Sequence, residues 1–129
     1  MAVPEKPLEC RFFKTDTGNE PVRDWLKNDV PSNVRKHVGG DILAVQWGWP
    51  VGPPLVDCSF GDGLCEVRSN VAGEKYRVLF CITDGAMVVL HGFHKKTKKT
   101  PKADVDLART RQATLKTRRQ QAKKTKKTK

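Results

Sequence analysis

Four short runs of alternating apolar and polar residues, separated by turn dipeptides, constrain the fold of this chain more than any other feature. Period-two alternation is the pattern of a β-strand with one buried face. The turn dipeptides include Ala72-Gly73 and Asp84-Gly85, and Asp-Gly between apolar runs is a strong hairpin signal because the tight turn needs positive φ. The sequence therefore predicts an antiparallel meander with strands at residues 55–60, 63–71, 75–83 and 86–93.

Two helices and one further strand are predicted before the meander. Glu20-Pro21 opens the first helix, since proline suits the first helical position, and its apolar stripe consists of Val22, Trp25, Leu26 and Val30. The second helix begins at Ser32 and is weakened by Gly39-Gly40, but one face carries Val34, Val38, Ile42 and Val45. We expect a strand within residues 8–14 and a loop over the proline-rich residues 47–54.

A last helix is predicted at residues 101–121, with so few apolar positions that we expect it to be mostly solvated. The chain is long enough for one compact core and too short for two ordinary domains. We therefore predict a single domain over residues 1–121 and a disordered lysine-rich tail over residues 122–129.

Positive charge is concentrated in the last quarter of the chain. The net charge is +11, yet residues 1–94 carry −2 and residues 95–129 carry +13. Because each lysine or arginine that binds a phosphate releases counterions, this segment predicts salt-dependent binding to nucleic acid with little sequence preference. The alternative for residues 123–129 is a solvated tail that only improves solubility. No apolar run approaches the roughly 20 residues of a membrane span and no secretory signal is visible, which indicates a cytoplasmic protein.

The four cysteines form no Cys-x-x-Cys pair, and the chain does not have the composition of a small secreted scaffold. We expect reduced thiols that serve mostly as small core residues. A zinc site that combines Cys58 or Cys65 with His91 or His94 is the alternative, but the usual ligand spacings are missing, so we predict no metal.

Residues 91–101 begin as a strand and end as a polycationic loop, which places imidazole and ammonium groups at the edge of the sheet. Arg68 and Arg77 lie on adjacent predicted strands and can project from the same side. Such a cluster can hold an RNA phosphate, stabilise the extra charge of a pentacoordinate transition state and move protons. Crowding by other cations favours the neutral, basic form of a lysine.

Several separated motifs occur here in the order and spacing of one toxin family. They are residues 16–26 (DTGNEPVRDWL), 40–42 (GDI), 48–50 (GWP), 66–69 (EVRS), 77–80 (RVLF), 90–93 (LHGF), 95–97 (KKT) and 99–101 (KTP). Together they span roughly residues 8–110 and resemble the phage-derived, HigB-like branch of the RelE/ParE type II toxin superfamily.

The resemblance implies a RelE-like α+β fold, in which an antiparallel sheet is packed by two N-terminal helices and followed by a C-terminal helix and a basic tail. It implies a toxin that enters the ribosome and cuts messenger RNA by attack of the ribose 2′-hydroxyl on the adjacent phosphate, without a metal or another cofactor. A cognate helix-turn-helix antitoxin would hold the toxin inactive, and operator DNA would be bound only through the toxin–antitoxin complex.

The resemblance also assigns roles by position. Arg68 and Arg77 would contact the phosphate and its transition state, Lys95 or Lys96 would stabilise charge or transfer a proton, and His91 is a candidate acid or base. Further RNA contacts are expected from His94, Lys98, Lys99 and Lys102. Many relatives place a tyrosine near the C-terminus, whereas the one tyrosine here is Tyr76, predicted to face the core, so base stacking would need Phe93, His94 or an arginine plane.

Other interpretations of the same residues stay open. Arg68 and Arg77 could form surface ion pairs with Glu66 and Glu74, and His91 could be structural. The lysines of residues 95–99 could only protect a sheet edge from aggregation. The corresponding alternative functions are a non-catalytic basic module that binds ribosomal RNA or other nucleic acid, and a ParE-like inhibitor of DNA gyrase.

Overall fold

The computed structural model describes residues 7–127, with side chains described as far as Lys123. The described chain is α+β, with five strands and three helices. In chain order these are β1 (Glu9–Phe12), α1 (Pro21–Asn28), α2 (Ser32–Gly48), β2 (Val56–Asp57), β3 (Cys65–Val71), β4 (Glu74–Thr83), β5 (Ala86–Lys95) and α3 (Lys102–Lys127).

The five strands form one sheet in the order β1-β5-β4-β3-β2. The strands β2 to β5 pair antiparallel, as the meander pattern predicts. Both hairpin turns place two successive residues at positive φ, Ala72 and Gly73 in one and Asp84 and Gly85 in the other.

The expectation of a purely antiparallel sheet is wrong, because β1 joins β5 in parallel, with Glu9 opposite Ala86 and Phe12 opposite Val89. A parallel pair needs a long connection, and the two N-terminal helices together with the meander provide it. This pairing also covers the edge of β5 that the meander alone would expose. Alternation within a strand identifies a strand but gives neither its partner nor its direction.

One face of the sheet is covered by α1 and α2. Their buried side chains pack against the inward residues of the strands, and this core contains Val22, Leu26, Val34, Val38, Ile42, Val45, Val67, Tyr76, Val78 and Phe80. Helix α2 continues through Gly39-Gly40, because burial of Val38, Ile42 and Val45 compensates for the low helix propensity of glycine.

The other face is covered by α3, so the helices form a layer on each side of the sheet. Most of the described residues of α3 are exposed, as the sequence predicts, and a few apolar positions dock the helix on the sheet. Ala108 is fully buried, and Val105 and Leu115 pack on a second core formed by Leu64, Leu79, Cys81, Val88, Leu90 and Phe93. A row of small and medium apolar side chains at helical spacing is sufficient to dock an otherwise charged helix.

Three further expectations need correction. Cys58 and Cys65 form a disulfide, because the turn between β2 and β3 brings them together, and only Cys10 and Cys81 are free thiols among the described residues. The strand expected at residues 55–60 is limited to Val56–Asp57. Residues 122–127, expected in a disordered tail, continue α3 to Lys127, while residues 128 and 129 lie outside the described range. None of the helices in the described part of the chain combines the length and apolarity that a bilayer span requires.

Candidate active site

Two arginines stand directly opposite each other on the sheet face that α3 partly covers. Arg68 on β3 pairs with Arg77 on β4, and cross-strand partners project to the same side. Lys95 on β5 pairs with Lys75, two residues from Arg77 on β4, and therefore joins the same face. The structure thus brings together three of the five residues that the sequence analysis named as catalytic candidates.

An irregularity in β5 determines which way Lys95 points. Leu79 pairs with His91 and Phe80 pairs with Val89, so Leu90 is an extra residue without a partner. Such a bulge reverses the alternation of side chains beyond it. Before the bulge Val88 faces α3, and beyond the bulge Phe93 faces α3. Lys95 lies two residues after Phe93 on the same strand and therefore projects to the same side. Arg111 of α3 donates to the Leu90 carbonyl at 2.7 Å and thereby holds the bulge.

A buried carboxylate, Glu66, lies between the arginines. Its side chain is 1% exposed, and its Oε1 lies 3.5 Å from Nε of Arg68 and 3.7 Å from Nε of Arg77. These three atoms are buried and form no hydrogen bond with the described residues. The hydroxyl of Thr100 donates to Glu66 Oε2 at 2.6 Å. Glu66 therefore offsets part of the arginine charge and also anchors the loop that follows β5.

The two arginines differ in exposure and in how they are held. The side chain of Arg77 is 5% exposed, and its Nη1 donates to the Tyr76 carbonyl at 3.0 Å and to Asn70 Oδ1 at 3.2 Å. Arg68 is 37% exposed, and its Nη2 donates to Asp57 Oδ2 at 2.9 Å. Arg77 is thus held rigidly by its neighbours and is nearly buried, whereas Arg68 reaches solvent.

Lys95 is almost fully buried at one end of this cluster, with 9% of its surface exposed. Burial lowers the pKa of Lys95 below the ordinary lysine value, and repulsion from Arg77 lowers it further. Arg68 and Lys75 act in the same direction, while attraction to Glu66 opposes them. A lysine in this environment loses its proton more easily than a surface lysine does, so it is suited to accept a proton from a substrate.

The loop after β5 is exposed and basic, and it borders an open cleft of about 510 Å³. Lys96 and Lys98 line the cleft with Lys75 and Lys95, and Lys99 is exposed in the same loop. The loop is ordered by two threonines, since Thr97 donates to the Lys99 carbonyl at 2.7 Å and Thr100 binds Glu66. Lys102 follows as the exposed first residue of α3.

His91 faces the same side of the sheet but is engaged with α3. Its Nε2 lies 2.6 Å from Oδ1 of Asp104, and its ring stacks on Phe93 with centroids 5.5 Å apart. On β5 it lies four residues before Lys95, about 13 Å at the usual rise of an extended strand. The structure therefore places His91 beside the cluster of Arg68, Arg77 and Lys95 rather than within it.

His94 projects to the opposite face from Arg77. It pairs with Tyr76, stacks on that ring at 4.6 Å between centroids, and its Nε2 lies 2.8 Å from Oε2 of Glu74. Tyr76 itself is buried in the core under α1 and α2. His94 still lines the basic cleft, although it does not face the arginines.

Sequence reasoning did not identify Glu66, Thr100 and Asp57 as parts of the site. In the sequence analysis Glu66 is treated only as a surface partner of an arginine. Its inward position on an alternating strand nevertheless indicates that the carboxylate is buried. The contact of Thr100 with Glu66 spans 34 residues and left no local signal. Glu74, the other expected arginine partner, binds His94 instead.

A zinc site is not supported by the donor set. Cys58 and Cys65, the thiols considered as ligands, are bonded to each other. Within residues 7–127, no group of three or more histidine, cysteine and carboxylate side chains is arranged to hold a metal ion.

Comparison with known families gives one match. The sequence model of a family described as phage derived protein Gp49-like (DUF891) matches residues 24–113, which include most of α1, all of α2, the whole meander and the candidate site. A search of curated proteins finds no match. Since the matched segment covers well over half of the chain, this protein belongs to the phage-derived Gp49-like family, a family of RelE/HigB-like toxins.

Proposed function

We propose that this protein is the toxin of a type II toxin–antitoxin pair and acts as a ribosome-dependent endoribonuclease that cleaves messenger RNA and stops translation. The observation that carries the proposal is the convergence of Arg68, Arg77 and Lys95 on one sheet face around the buried Glu66. The basic cleft beside them supports it, because a polyanion can be held there with one phosphate against the arginines.

The arginines supply the electrostatic part of the reaction. Their guanidinium groups present donors in a fixed plane and stay charged at any physiological pH, so they suit the non-bridging oxygens of a phosphate. In the transition state the phosphate gains negative charge, and preorganised donors in a partly buried site stabilise that charge more than water does. Arg77 is already held by Asn70 and the Tyr76 carbonyl, so little ordering is needed on binding.

Lys95 is the proposed general base. In its neutral form it accepts the proton of the ribose 2′-hydroxyl while the 2′ oxygen bonds to phosphorus. The bond between phosphorus and the 5′ oxygen then breaks, and Lys96, as an ammonium ion on the adjacent loop, donates a proton to the leaving oxygen. The products are a 2′,3′-cyclic phosphate and a 5′-hydroxyl. This scheme uses general acid–base catalysis and charge stabilisation by the chain's own residues and routes no step through a metal.

The proposal includes partners that the family resemblance implies. They are the ribosome with its messenger RNA, and a cognate helix-turn-helix antitoxin that blocks the toxin and links it to operator DNA. The tyrosine that many relatives use has no equivalent near the site, since Tyr76 is buried on the other face. Base stacking is therefore assigned to the imidazole ring of His94, which lines the cleft, or to the plane of Arg68.

Expression in bacteria tests the proposal. Wild-type protein should arrest growth and produce new 5′ ends within translated messenger RNA, and Arg77→Ala and Lys95→Ala should each abolish both effects while the protein accumulates in folded form. Lys36→Ala is the matched control, because Lys36 is an exposed cation on α2 at the other sheet face, and it should behave as wild type.

Three outcomes contradict the proposal. Arrest with intact messenger RNA and stalled replication would indicate gyrase inhibition instead. RNA binding without arrest would indicate a non-catalytic module. Full cleavage by the folded Arg77→Ala and Lys95→Ala variants would place the reaction elsewhere.

A further inference from the structure

The second half of α3 is a basic surface that the candidate site does not use. Residues 114–127 contain seven lysines and arginines and no acidic residue. They lie beyond the segment that matches the Gp49-like family, which ends at residue 113. This part of the helix lies outside the matched segment, and its charge needs its own account.

This surface and the candidate site lie at opposite ends of α3. The N-terminal end of the helix is tied to the site through Asp104, which binds His91. Near the other end, Arg118 binds Asp16 and the Lys14 carbonyl, and Arg119 lies 3.0 Å from Asp84 at the far hairpin. Lys102 and Lys123 are 21 residues apart on one helix, about 32 Å at the usual helical rise. A single phosphate cannot contact both regions.

Three exposed cations of this segment share one face of the helix. Lys116, Arg119 and Lys123 are all exposed and stand three and then four residues apart, so they lie one above another. Like charges at this spacing destabilise a helix. Asp84 offsets part of this repulsion at Arg119. The rest is relieved when the stripe binds a polymer of opposite charge, because each contacted phosphate then neutralises a cation and releases counterions.

The chemistry of the segment favours RNA over a lipid surface. An amphipathic helix that binds a membrane needs an apolar face opposite its charges. Here Leu115 is packed against the core of the sheet, and Ala122 is the only other apolar residue after it in residues 114–127. Cations without an accompanying apolar face suit a phosphate backbone, which is recognised through charge.

We propose that Lys116, Arg119 and Lys123 form a second RNA-docking surface, which holds the phosphate backbone of an RNA segment about 20 to 30 Å along α3 from the helix end beside the candidate site. The choice of RNA as the polyanion rests on the proposed function, but docking requires no cleavage. Two separate contacts raise the affinity for a long or folded RNA, because binding at one makes binding at the other intramolecular.

The test compares two full-length triple variants with the same change in net charge. One is Lys116→Gln/Arg119→Gln/Lys123→Gln, which keeps good helix formers in α3. The control is Arg23→Gln/Lys27→Gln/Lys36→Gln, which neutralises three exposed cations on α1 and α2. The probe is a fluorescent 2′-O-methyl RNA of about 40 nucleotides, since it lacks the 2′-hydroxyl and binds without being cut.

The α3 variant should bind this probe at least tenfold more weakly than the control, and its slope of log affinity against log salt should be smaller by about two. Equal affinities and slopes for the two variants would overturn the proposal. Lys123→Gln alone should lower the affinity for the probe by a smaller factor, so the test does not depend on the triple variant. Circular dichroism checks that α3 remains folded.

Two further experiments distinguish RNA docking from the proposed cleavage activity and from binding to lipid. The first measures cleavage of messenger RNA on ribosomes by the wild type. If the wild type cuts no RNA while the stripe still controls binding of the probe, the proposed function fails and the docking surface stands. Vesicles that contain phosphatidylserine serve as the second probe. If the α3 variant loses binding to vesicles but not to RNA, the RNA-docking proposal is wrong.

Discussion

Arg68 and Arg77 are direct cross-strand partners on β3 and β4, and the Nε of each lies within 3.7 Å of the same buried oxygen of Glu66. Like charges directly opposite each other destabilise a sheet. Glu66 offsets this repulsion, but it cannot neutralise two guanidinium groups and Lys95 together. The cluster therefore keeps a net positive charge in a poorly hydrated position, which is the condition for strong binding of a phosphate.

The pH dependence of cleavage should report the proton on Lys95. Because burial and the nearby arginines lower the pKa of Lys95, its neutral form becomes more abundant as the pH rises toward the ordinary lysine value of 10.5. The cleavage rate should therefore increase with pH and reach its plateau before the pH arrives at 10.5. This pH dependence is measured as the single-turnover rate of cleavage of ribosome-bound messenger RNA at each pH.

Lys95→Arg tests the origin of this pH dependence directly, because arginine keeps the positive charge and cannot act as a base. It should lower the rate by about a hundredfold or more and flatten the pH dependence. Lys75→Arg, at the exposed neighbouring position on β4, should keep the profile. A Lys95→Arg enzyme with a normal rate and profile would exclude Lys95 as the base.

Removal of the buried carboxylate should affect both stability and chemistry. Glu66→Gln leaves Arg77 buried without a counter-charge, so the free energy of unfolding should fall by about 3 kcal/mol, as measured by urea denaturation. In the folded variant the pH profile should move to lower pH, because attraction to Glu66 raises the pKa of Lys95. Glu74→Gln, which alters an exposed carboxylate at the hairpin, should change neither quantity by much. An unshifted profile would show that Glu66 does not act on the base.

The hydrogen bond from Thr100 to Glu66 should position the basic loop. Thr100→Val removes the hydroxyl but keeps the shape, so Lys96 loses its fixed place relative to the arginines and cleavage should slow by about tenfold. Thr97→Val, which removes the other ordering hydroxyl of the loop but does not touch Glu66, should have a smaller effect. Equal rates for wild type and Thr100→Val would mean that the loop needs no anchor.

The disulfide between Cys58 and Cys65 should stabilise the strand ends that carry Asp57 and Glu66. It closes a short loop, so its removal should lower the free energy of unfolding by about 2 to 3 kcal/mol. Dithiothreitol should lower the melting temperature of the wild type and leave a Cys58→Ser/Cys65→Ser variant unchanged. Cys10→Ser, at a free thiol, should keep the response to the reductant. A wild-type melting temperature that dithiothreitol leaves unchanged would contradict this role of the disulfide.

Local signals in the sequence predicted much of the fold. The meander follows from alternation and from turn residues that accept positive φ, and the shared face of Arg68 and Arg77 follows from the hairpin register. The parallel pairing of β1 with β5 could not be predicted, because it joins segments about 77 residues apart. The disulfide was missed for a related reason, since a spacing of seven residues does not reveal the turn that brings two cysteines together.

The candidate site was predicted in part. Its cationic residues were visible as a pattern, but the direction of Lys95 depends on the extra residue Leu90, which no alternation rule includes. His91 and His94 were expected to act with the lysines around them. In the structure His94 lies on the other face of the sheet and His91 contacts Asp104, because each histidine pairs with a carboxylate on a neighbouring element.

The central claim is that Arg77 and Lys95 act together on one phosphate, and a double-mutant comparison of single-turnover cleavage on ribosomes tests it most directly. Arg77→Ala and Lys95→Ala should each reduce the rate constant by about a hundredfold or more, and the double variant should lose far less than the product of the two losses. Folded single variants that cleave at the wild-type rate, or losses that multiply fully, would contradict the account.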